Sequence, residues 1–384
     1  MRWISKMYRY LCPDWLRISL RNVQYYLVHI HEQWRARNFQ PNLSSVWQKS
    51  VCFIIPSCKM SGGVMVVCEY ANRLKKKGIK VIIASCDGTK DLSWFVGHDV
   101  ETRGWLEIKA DVCKDYDAVV ATGWITAYTA AESGIERAYY FVQSDERRFY
   151  PAESYLRKRV EDTYRMNFKF ITIADWLVNW LKNEFSVDAF LVRNGLDKNI
   201  FNTGGQKLSK RPDDKIRILI EGAIDLPFKQ VPEALELASK LPEDQYEIWL
   251  VSSSGDPNPS WKIERYFSKI SQRMMGDVYR SCHVLLKLSR VEGMSGPPLE
   301  AMACGCVPII SKVTGSSEYL IDGKNGFYFD SQKDSLQDVF KNAMDLQKSP
   351  EFSNSANETV EKFDWEISTD RMVNILLSQG IISQ

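Results

Sequence analysis

The chain has 384 residues, of which 45% are hydrophobic and 26% are charged, and its formal net charge is +2. This length favours two domains over one, and the near-neutral charge argues against a nucleic-acid partner or a strongly acidic one. The nine cysteines include no C-x-x-C pair, no run of about 18 apolar residues is present, and the N-terminus lacks a secretory signal. These features predict a chain with free thiols on the cytoplasmic side of the membrane.

Residues 1–50 differ from the rest because basic side chains alternate with Trp and Tyr. Helical spacing of apolar residues is found on both sides of Pro13. Such helices suit a lipid surface, where aromatic rings and cations meet the headgroups. Two interpretations stay open for this basic helical arm: peripheral contact with the inner face of a membrane, or packing on the protein's own body.

From residue 51 the pattern alternates between strands and helices, which is typical of parallel sheets with crossover helices. A polar stretch at 202–215 is the predicted linker. The predicted strands lie at 51–55, 81–85, 118–122, 138–142, 170–173, 189–192, 216–221, 247–252, 284–288, 307–311 and 326–329. We therefore predict domains at 51–200 and 215–362, with an active site in the cleft between them and a final helix at 363–384.

Three features of the first domain could carry function. Gly62 and Gly63 follow the first strand and precede a helix, as any tight strand-to-helix turn could require. Trp124 follows the strand at 118–122, so it could stack on a ligand in the cleft or pack in the core. Asp115 and Asp117 precede that strand, but two carboxylates are too few for a Mg²⁺ site, and we predict no metal.

The most informative stretch is Glu292-Gly-Met-Ser-Gly-Pro-Pro-Leu-Glu300, in which two carboxylates flank a glycine- and proline-rich loop. It joins an apolar strand to a short helix at 299–303, and such a helix start binds phosphate through its free N–H groups and its dipole. Gly293 and Gly296 allow close approach of a ligand. The carboxylates would repel a diphosphate, so their expected targets are sugar hydroxyls. The alternative is an ordinary strand-turn-helix unit.

This stretch resembles the signature of the family 4 retaining glycosyltransferases, which have the GT-B fold. The signature continues here with Ala301-Met-Ala-Cys-Gly305 and an apolar strand, then with Gly315-Ser-Ser-Glu318 and Asp322-Gly-Lys-Asn-Gly326. The resemblance covers residue 51 to the C-terminus. It implies an α/β protein of the GT-B type, with two doubly wound Rossmann-like domains facing across a cleft and the basic helical arm outside them.

The resemblance also implies roles for individual residues. Glu300 would hold the ribose of a nucleotide-sugar donor and Glu292 the transferred sugar, while Lys229 would neutralise the diphosphate. Glu292 and Lys229 are thus the implied catalytic residues. The implied donor-binding residues are Glu300, Gly293, Met294, Ser295, Gly296, Leu299, Gly62 and Gly63.

Two positions depart from the family pattern. Ala223 stands in the place of an arginine that would assist Lys229, so another cation would have to supply that charge. Gln143 stands where many relatives carry a histidine, and a glutamine can bond sugar hydroxyls but cannot shuttle protons. The candidate replacement cations are Lys262, Lys287 and Arg290.

The stretch at 139–151 is similar to a subgroup that includes bacterial rhamnosyltransferases of surface-polysaccharide assembly. This similarity favours a deoxythymidine-linked deoxysugar donor, with the acceptor contacted by Gln143, Asp145 and Trp124. The adjacent Glu146 is a candidate acceptor contact as well, and the alternative for Asp145 and Glu146 is a solvated charge pair.

The resemblance as a whole implies a retaining, metal-independent glycosyltransferase of the hexosyltransferase class. It would move a sugar, rhamnose in the narrowest interpretation, from a nucleoside-diphosphate sugar to a glycan or lipid-linked acceptor in cell-surface polysaccharide biosynthesis. No resident cofactor is expected, because the nucleotide sugar is a co-substrate. The departures at Ala223 and Gln143 leave open a non-catalytic GT-B scaffold that binds a glycan or a partner enzyme.

Overall fold

A computed structural model of the protein describes residues 50–377, and the arm predicted for residues 1–50 lies outside this range apart from Ser50. The first sheet has seven parallel strands. They are β1 (Ser50–Ile55), β2 (Lys80–Ser85), β3 (Glu101–Gly104), β4 (Ala118–Ala121), β5 (Ala138–Val142), β6 (Lys169–Thr172) and β7 (Ala189–Leu191). Their order across the sheet is β3-β2-β1-β4-β5-β6-β7.

The helices of this domain are α1 (Gly62–Lys76), α2 (Trp105–Ile108), α3 (Val112–Asp115), α4 (Trp124–Ala131), α5 (Tyr155–Thr163) and α6 (Asp175–Phe185). The chain winds from β1 to one edge of the sheet and then returns to continue from β4 to the other edge. Successive connections therefore diverge between β1 and β4, which opens a crevice at the carboxyl ends of these strands.

The second sheet has six parallel strands with the same type of winding, in the order β10-β9-β8-β11-β12-β13. They are β8 (Ile216–Glu221), β9 (Tyr246–Ser252), β10 (Arg265–Ser268), β11 (Val284–Lys287), β12 (Val307–Ile310) and β13 (Phe327–Tyr328). Its helices are α7 (Val231–Ala238), α8 (Gln272–Ser281), α9 (Gly296–Ala303), α10 (Leu336–Lys348) and α11 (Pro350–Val360). Here the crevice lies between β8 and β11.

Each sheet has its own hydrophobic core, so the predicted fold class, two doubly wound Rossmann-like domains, is confirmed. The last helix, α12 (Trp365–Leu377), packs on the first domain, and its Trp365, Met372 and Leu376 belong to the first core. Within residues 50–377, no helix has the length and apolar character needed to cross a membrane.

Two strands were not predicted from the sequence, β3 and β10. Both lie at the edge of their sheet, and most of their residues keep contact with solvent. An edge strand needs no continuous apolar run, because it packs on one neighbour only. The buried strands were predicted to within one residue at each end, because their apolar runs are continuous.

Candidate active site

The stretch from Glu292 to Glu300 joins β11 to α9 at the carboxyl edge of the second sheet. Helix α9 begins at Gly296, and Ser295 precedes it as the N-cap without forming a side-chain cap bond. A helix start leaves four N–H groups without intrahelical partners. Here those positions include Pro297 and Pro298, which carry no N–H. Only the N–H groups of Ser295 and Gly296 therefore remain to face an anion.

The buried side chains around this helix start have different surroundings. Ser295 is 4% exposed, and its Oγ has no hydrogen-bond partner within the described residues. Leu299, which was predicted to contact the donor, is 3% exposed and belongs to the second core. The fourth residue of the helix thus packs its side chain in the domain, and a contact of Leu299 with the donor stays a prediction.

A cluster of two lysines and two carboxylates lies beside the loop. Lys229 ends a 3₁₀ turn and its Nζ donates to both carboxylate oxygens of Glu292, at 2.8 and 3.0 Å. Lys287 ends β11 and its Nζ donates to Glu221 Oε2 at 2.7 Å. The same Nζ lies 3.7 Å from Glu292 Oε1. Two cations and two anions thus share one small volume.

The charges of this cluster are set by burial and by the pairing. Burial acts to raise the pKa of Glu292, but Lys229 and Lys287 outweigh it and hold that pKa below its usual range. Burial acts to lower the pKa of Lys287, and the two carboxylates outweigh it in turn. Glu292 and Lys287 are therefore charged at neutral pH.

Glu300 differs from Glu292 because no lysine pairs with it directly. Its Oε2 accepts a hydrogen bond from Tyr279 Oη at 3.0 Å. Burial raises the pKa of Glu300 to about 7, and nearby Glu221 acts in the same direction against the Tyr279 hydroxyl. At neutral pH Glu300 is thus present in both protonation states, so it can donate to or accept from a sugar hydroxyl.

The first domain brings a glycine turn and a glutamine to this loop. Gly62 and Gly63 start α1, and Gln143 follows β5 with its Nε2 donating to Gly63 O at 3.3 Å. A Cβ on Gly293 would lie only 1.8 Å from Gln143 O, so the two loops are in backbone contact. Met294 packs against both cores. The structure therefore brings Gly63, Gln143 and the second-domain loop together, as the sequence predicted for a cleft site.

A second contact between the domains joins the start of α6 to the second domain. The residue before α6 is Ala174, which offers no cap. Instead, Glu318 of the second domain accepts from the N–H groups of Asp175 at 3.1 Å and Trp176 at 2.9 Å. Trp176 Nε1 also donates to Gly293 O at 2.7 Å. The Glu292–Glu300 loop is thereby tied to the first domain.

Two predicted acceptor contacts lie inside the first domain. Trp124 is 9% exposed, and its Nε1 donates to Tyr150 Oη at 3.1 Å. Asp145 is 6% exposed and accepts from Arg147 Nε at 2.8 Å. Each of these polar groups already has a partner within the first domain, and little of either side chain reaches solvent. Their contact with an acceptor stays a prediction.

Glu146, beside Asp145, also has hydrogen-bond partners within the first domain. It is partly buried, and its Oε2 accepts from the Trp124 N–H at the start of α4, at 2.9 Å. Burial raises the pKa of Glu146 to about 7. Of the predicted acceptor residues, Gln143 lies where the two domains meet, and Asp145 and Glu146 both stay candidates.

The structure distinguishes the three candidate replacement cations. Lys262 is exposed and pairs with Glu243 at 2.6 Å, away from the loop. The side chain of Arg290 is also exposed. Lys287 alone of the three lines the small concave space next to Glu292 and Ser295. Among residues 50–377, no group of three His, Cys, Asp or Glu side chains is arranged to hold a metal ion.

Two members of the site, Glu221 and Tyr279, were not predicted. Glu221 carries a weak signal in the sequence, since it is a carboxylate at the end of an apolar strand. Tyr279 carries none, because it is one of several buried residues in the last turns of the amphipathic helix α8. Its contact with Glu300 depends on how α8 packs against α9.

Comparisons of the sequence relate the chain to glycosyltransferases. The family described as glycosyl transferases group 1 matches residues 265–362. An uncharacterized glycosyltransferase of Methanocaldococcus jannaschii is 26% identical over 217 residues, which are 53% of this chain and match 57% of that protein. The chain thus spans little more than half the length of this relative.

Solved structures show the same fold at low sequence identity. HepE of Anabaena, crystallised with UDP-glucose, has a TM-score of 0.68 and 14% identity, covering 85% of this chain and 99% of HepE. Sucrose-phosphate synthase of Thermosynechococcus elongatus has a TM-score of 0.66 and 15% identity, covering 84% of this chain and 97% of the synthase. The chain therefore has the GT-B fold of glycosyltransferases, and its second domain carries the match to the group 1 family.

Proposed function

We propose that the protein is a retaining glycosyltransferase that moves a sugar from a nucleoside-diphosphate donor to a hydroxyl group of an acceptor. The observation that carries this proposal is the Lys229–Glu292 pair beside the start of α9, with Glu300 one helical turn away. Lysine suits a diphosphate and the carboxylates suit sugar hydroxyls. The domain contact at Gly293 supports a reaction in a closed cleft that excludes water.

The ion pair suggests how the donor enters. Its diphosphate would draw Lys229 away from Glu292, and Glu292 would then be free to accept from hydroxyls of the transferred sugar. Glu300 would bond the ribose. When the bond from the sugar's anomeric carbon to the diphosphate oxygen breaks, Lys229 and the N–H groups of Ser295 and Gly296 would stabilise the leaving charge. The acceptor oxygen bonds the anomeric carbon from the same face, and its proton passes to the departing phosphate. No metal is required by this proposal.

The identity of the donor is proposed from the sequence. The stretch at 139–151 favours a deoxythymidine-linked rhamnose, whereas HepE of the same fold binds UDP-glucose. A deoxythymidine donor lacks the ribose 2′-OH, so Glu300 would bond the 3′-OH alone. The proposed acceptor is a glycan or a lipid-linked sugar in cell-surface polysaccharide biosynthesis, with Gln143 and Glu146 on the acceptor side of the cleft.

A thermal-shift measurement with dTDP, UDP, GDP and ADP tests donor binding. A ligand that binds only the folded state raises the melting temperature as its concentration rises. We expect one nucleotide to give the largest shift, and we expect Glu300→Ala to abolish that shift. Glu236→Ala is the matched control, because this carboxylate is exposed on α7. No shift with any of the four would contradict the proposal and favour the scaffold alternative that Ala223 suggests.

We also propose that residues 1–50 hold this cytoplasmic protein at the inner face of the membrane, near a lipid-linked acceptor. The support is the alternation of basic and aromatic residues in the sequence. We expect full-length protein to float with liposomes that contain anionic lipids, and a chain that starts at Ser44 to stay in the dense fraction. Equal flotation of the two proteins would rule out the arm as a membrane contact.

A further inference from the structure

The start of α9 offers less positive potential than a helix start usually provides. Two of its four terminal positions are prolines without an N–H, so the backbone supplies two donors instead of four. The side chain at position 223, near the end of β8, is an alanine that is 6% exposed. A nucleoside diphosphate therefore needs side-chain cations here more than it would at an ordinary helix start.

Lys287 is placed to supply such a charge. Strand β11 lies parallel to β8, with Leu286 opposite Ile220. Lys287 therefore stands beside Glu221 at the carboxyl ends of these strands, and Ala223 follows Glu221 by two residues. Its side chain is 4% exposed, and it lines the same concave space as Glu292, Ser295 and Pro298.

The surroundings of Lys287 show that it does more than neutralise Glu221. Its Nζ donates to Glu221 Oε2 at 2.7 Å and also lies 3.7 Å from Glu292 Oε1. Glu292 is therefore shared by Lys287 and Lys229. If Glu292 turns to the sugar when the donor binds, its negative charge moves away from both lysines at the same time. Both lysines are then available to an incoming diphosphate.

We infer that Lys287 is the second cation of the diphosphate site and that it replaces, from the neighbouring strand, the side chain that Ala223 lacks. The inference rests on the proposed function. Glu221 is a positioning residue, because it holds the ammonium group of Lys287 at the end of β11. The cluster is electrically balanced before the donor arrives, which keeps two lysines stable in a mostly buried place.

Calorimetric titration with UDP and UMP tests this role, or with the corresponding pair if another base gives the largest thermal shift. We expect Lys287→Met to weaken UDP binding by about 10- to 100-fold. This is the change in affinity expected from the loss of one hydrogen bond to a charged group. UMP binding should weaken less, so the ratio of UDP affinity to UMP affinity should fall. In Lys287→Arg this ratio should stay close to that of the wild-type protein. Lys262→Met is the matched control, because that lysine is exposed and lies away from the loop.

Removing Lys287 alone leaves the carboxylate of Glu221 without its partner and can destabilise the fold. The double variant Glu221→Gln/Lys287→Met removes both charges of the pair and should fold. We expect it to lose the same preference for UDP over UMP. Introducing Ala223→Arg into this double variant should restore part of the preference, because it returns a cation to the neighbouring strand end.

The outcomes separate the inference from the proposed function. If the wild-type protein binds none of the nucleoside diphosphates, the proposed function fails and the inference fails with it. If the wild-type protein binds UDP and the double variant keeps the wild-type ratio of UDP to UMP affinity, the inference about Lys287 is overturned. The proposed function is then unaffected. A lowered ratio with restoration by Ala223→Arg supports it.

Discussion

Replacing Gly293 by alanine is expected to reduce sugar transfer by about 100-fold, although the change adds a single methyl group. The new Cβ would lie 1.8 Å from the carbonyl oxygen of Gln143 and 2.9 Å from its carbonyl carbon. Both are backbone atoms, so no side-chain rotation can relieve the overlap. The two domains would have to separate at this point, which moves the Glu292–Glu300 loop away from the first domain.

The measurement is the steady-state transfer rate, with nucleotide affinity determined in parallel. Since the nucleotide is expected to bind mainly to the second domain, its affinity should change less than the rate. Gly204→Ala is the control, because this exposed glycine lies outside the site and a Cβ there meets only Asn202 Oδ1, at an ordinary contact distance of 3.6 Å. A Gly293→Ala protein with wild-type transfer would show that the domains are farther apart in the reacting state than in this structure.

Replacing Lys229 by methionine is expected to lower kcat by about 100- to 1000-fold, the loss typical of removing one preorganised group that stabilises charge in a transition state. The side chain of Lys229 is 23% exposed, so its charge acts at the edge of a partly water-excluded site. The variant should be compared at saturating donor with Lys240→Met, which removes an exposed lysine of the same domain.

A double-mutant cycle separates a direct role of Lys229 from an indirect one. If Lys229 serves only to hold Glu292, the change to methionine should have no further effect in a Glu292→Gln protein. If Lys229 acts on the leaving diphosphate, kcat should fall again in that background. Absence of a second fall would leave Lys229 as a positioning residue for Glu292.

The fold and the centre of the site could be predicted because their signals are local in the sequence. Glu292 and Glu300 lie within one strand-loop-helix unit, and their spacing needs no knowledge of the rest of the chain. The buried strands β1 and β11 show as continuous apolar runs because both of their faces are covered. The polar edge strands β3 and β10 lack that signal.

The remaining contacts depend on which strands and helices become neighbours. Lys287 and Glu221 are 66 residues apart, and only the pairing of β11 with β8 places them together. Trp124 could not be assigned to the core from its position after β4, because its partner Tyr150 follows a different strand. Asp145 has its partner two residues away in Arg147, but the burial of that pair reflects the packing of the whole domain.

The missing cap of α6 has a consequence for how the protein opens. Because Glu318 belongs to the other domain, separating the domains exposes the first N–H groups of α6 to water. The amide protons of Asp175 and Trp176 are shielded only while the cleft is shut. The rate of their deuterium uptake therefore reports how often the cleft opens, and it can be measured on the unmodified chain without a substrate.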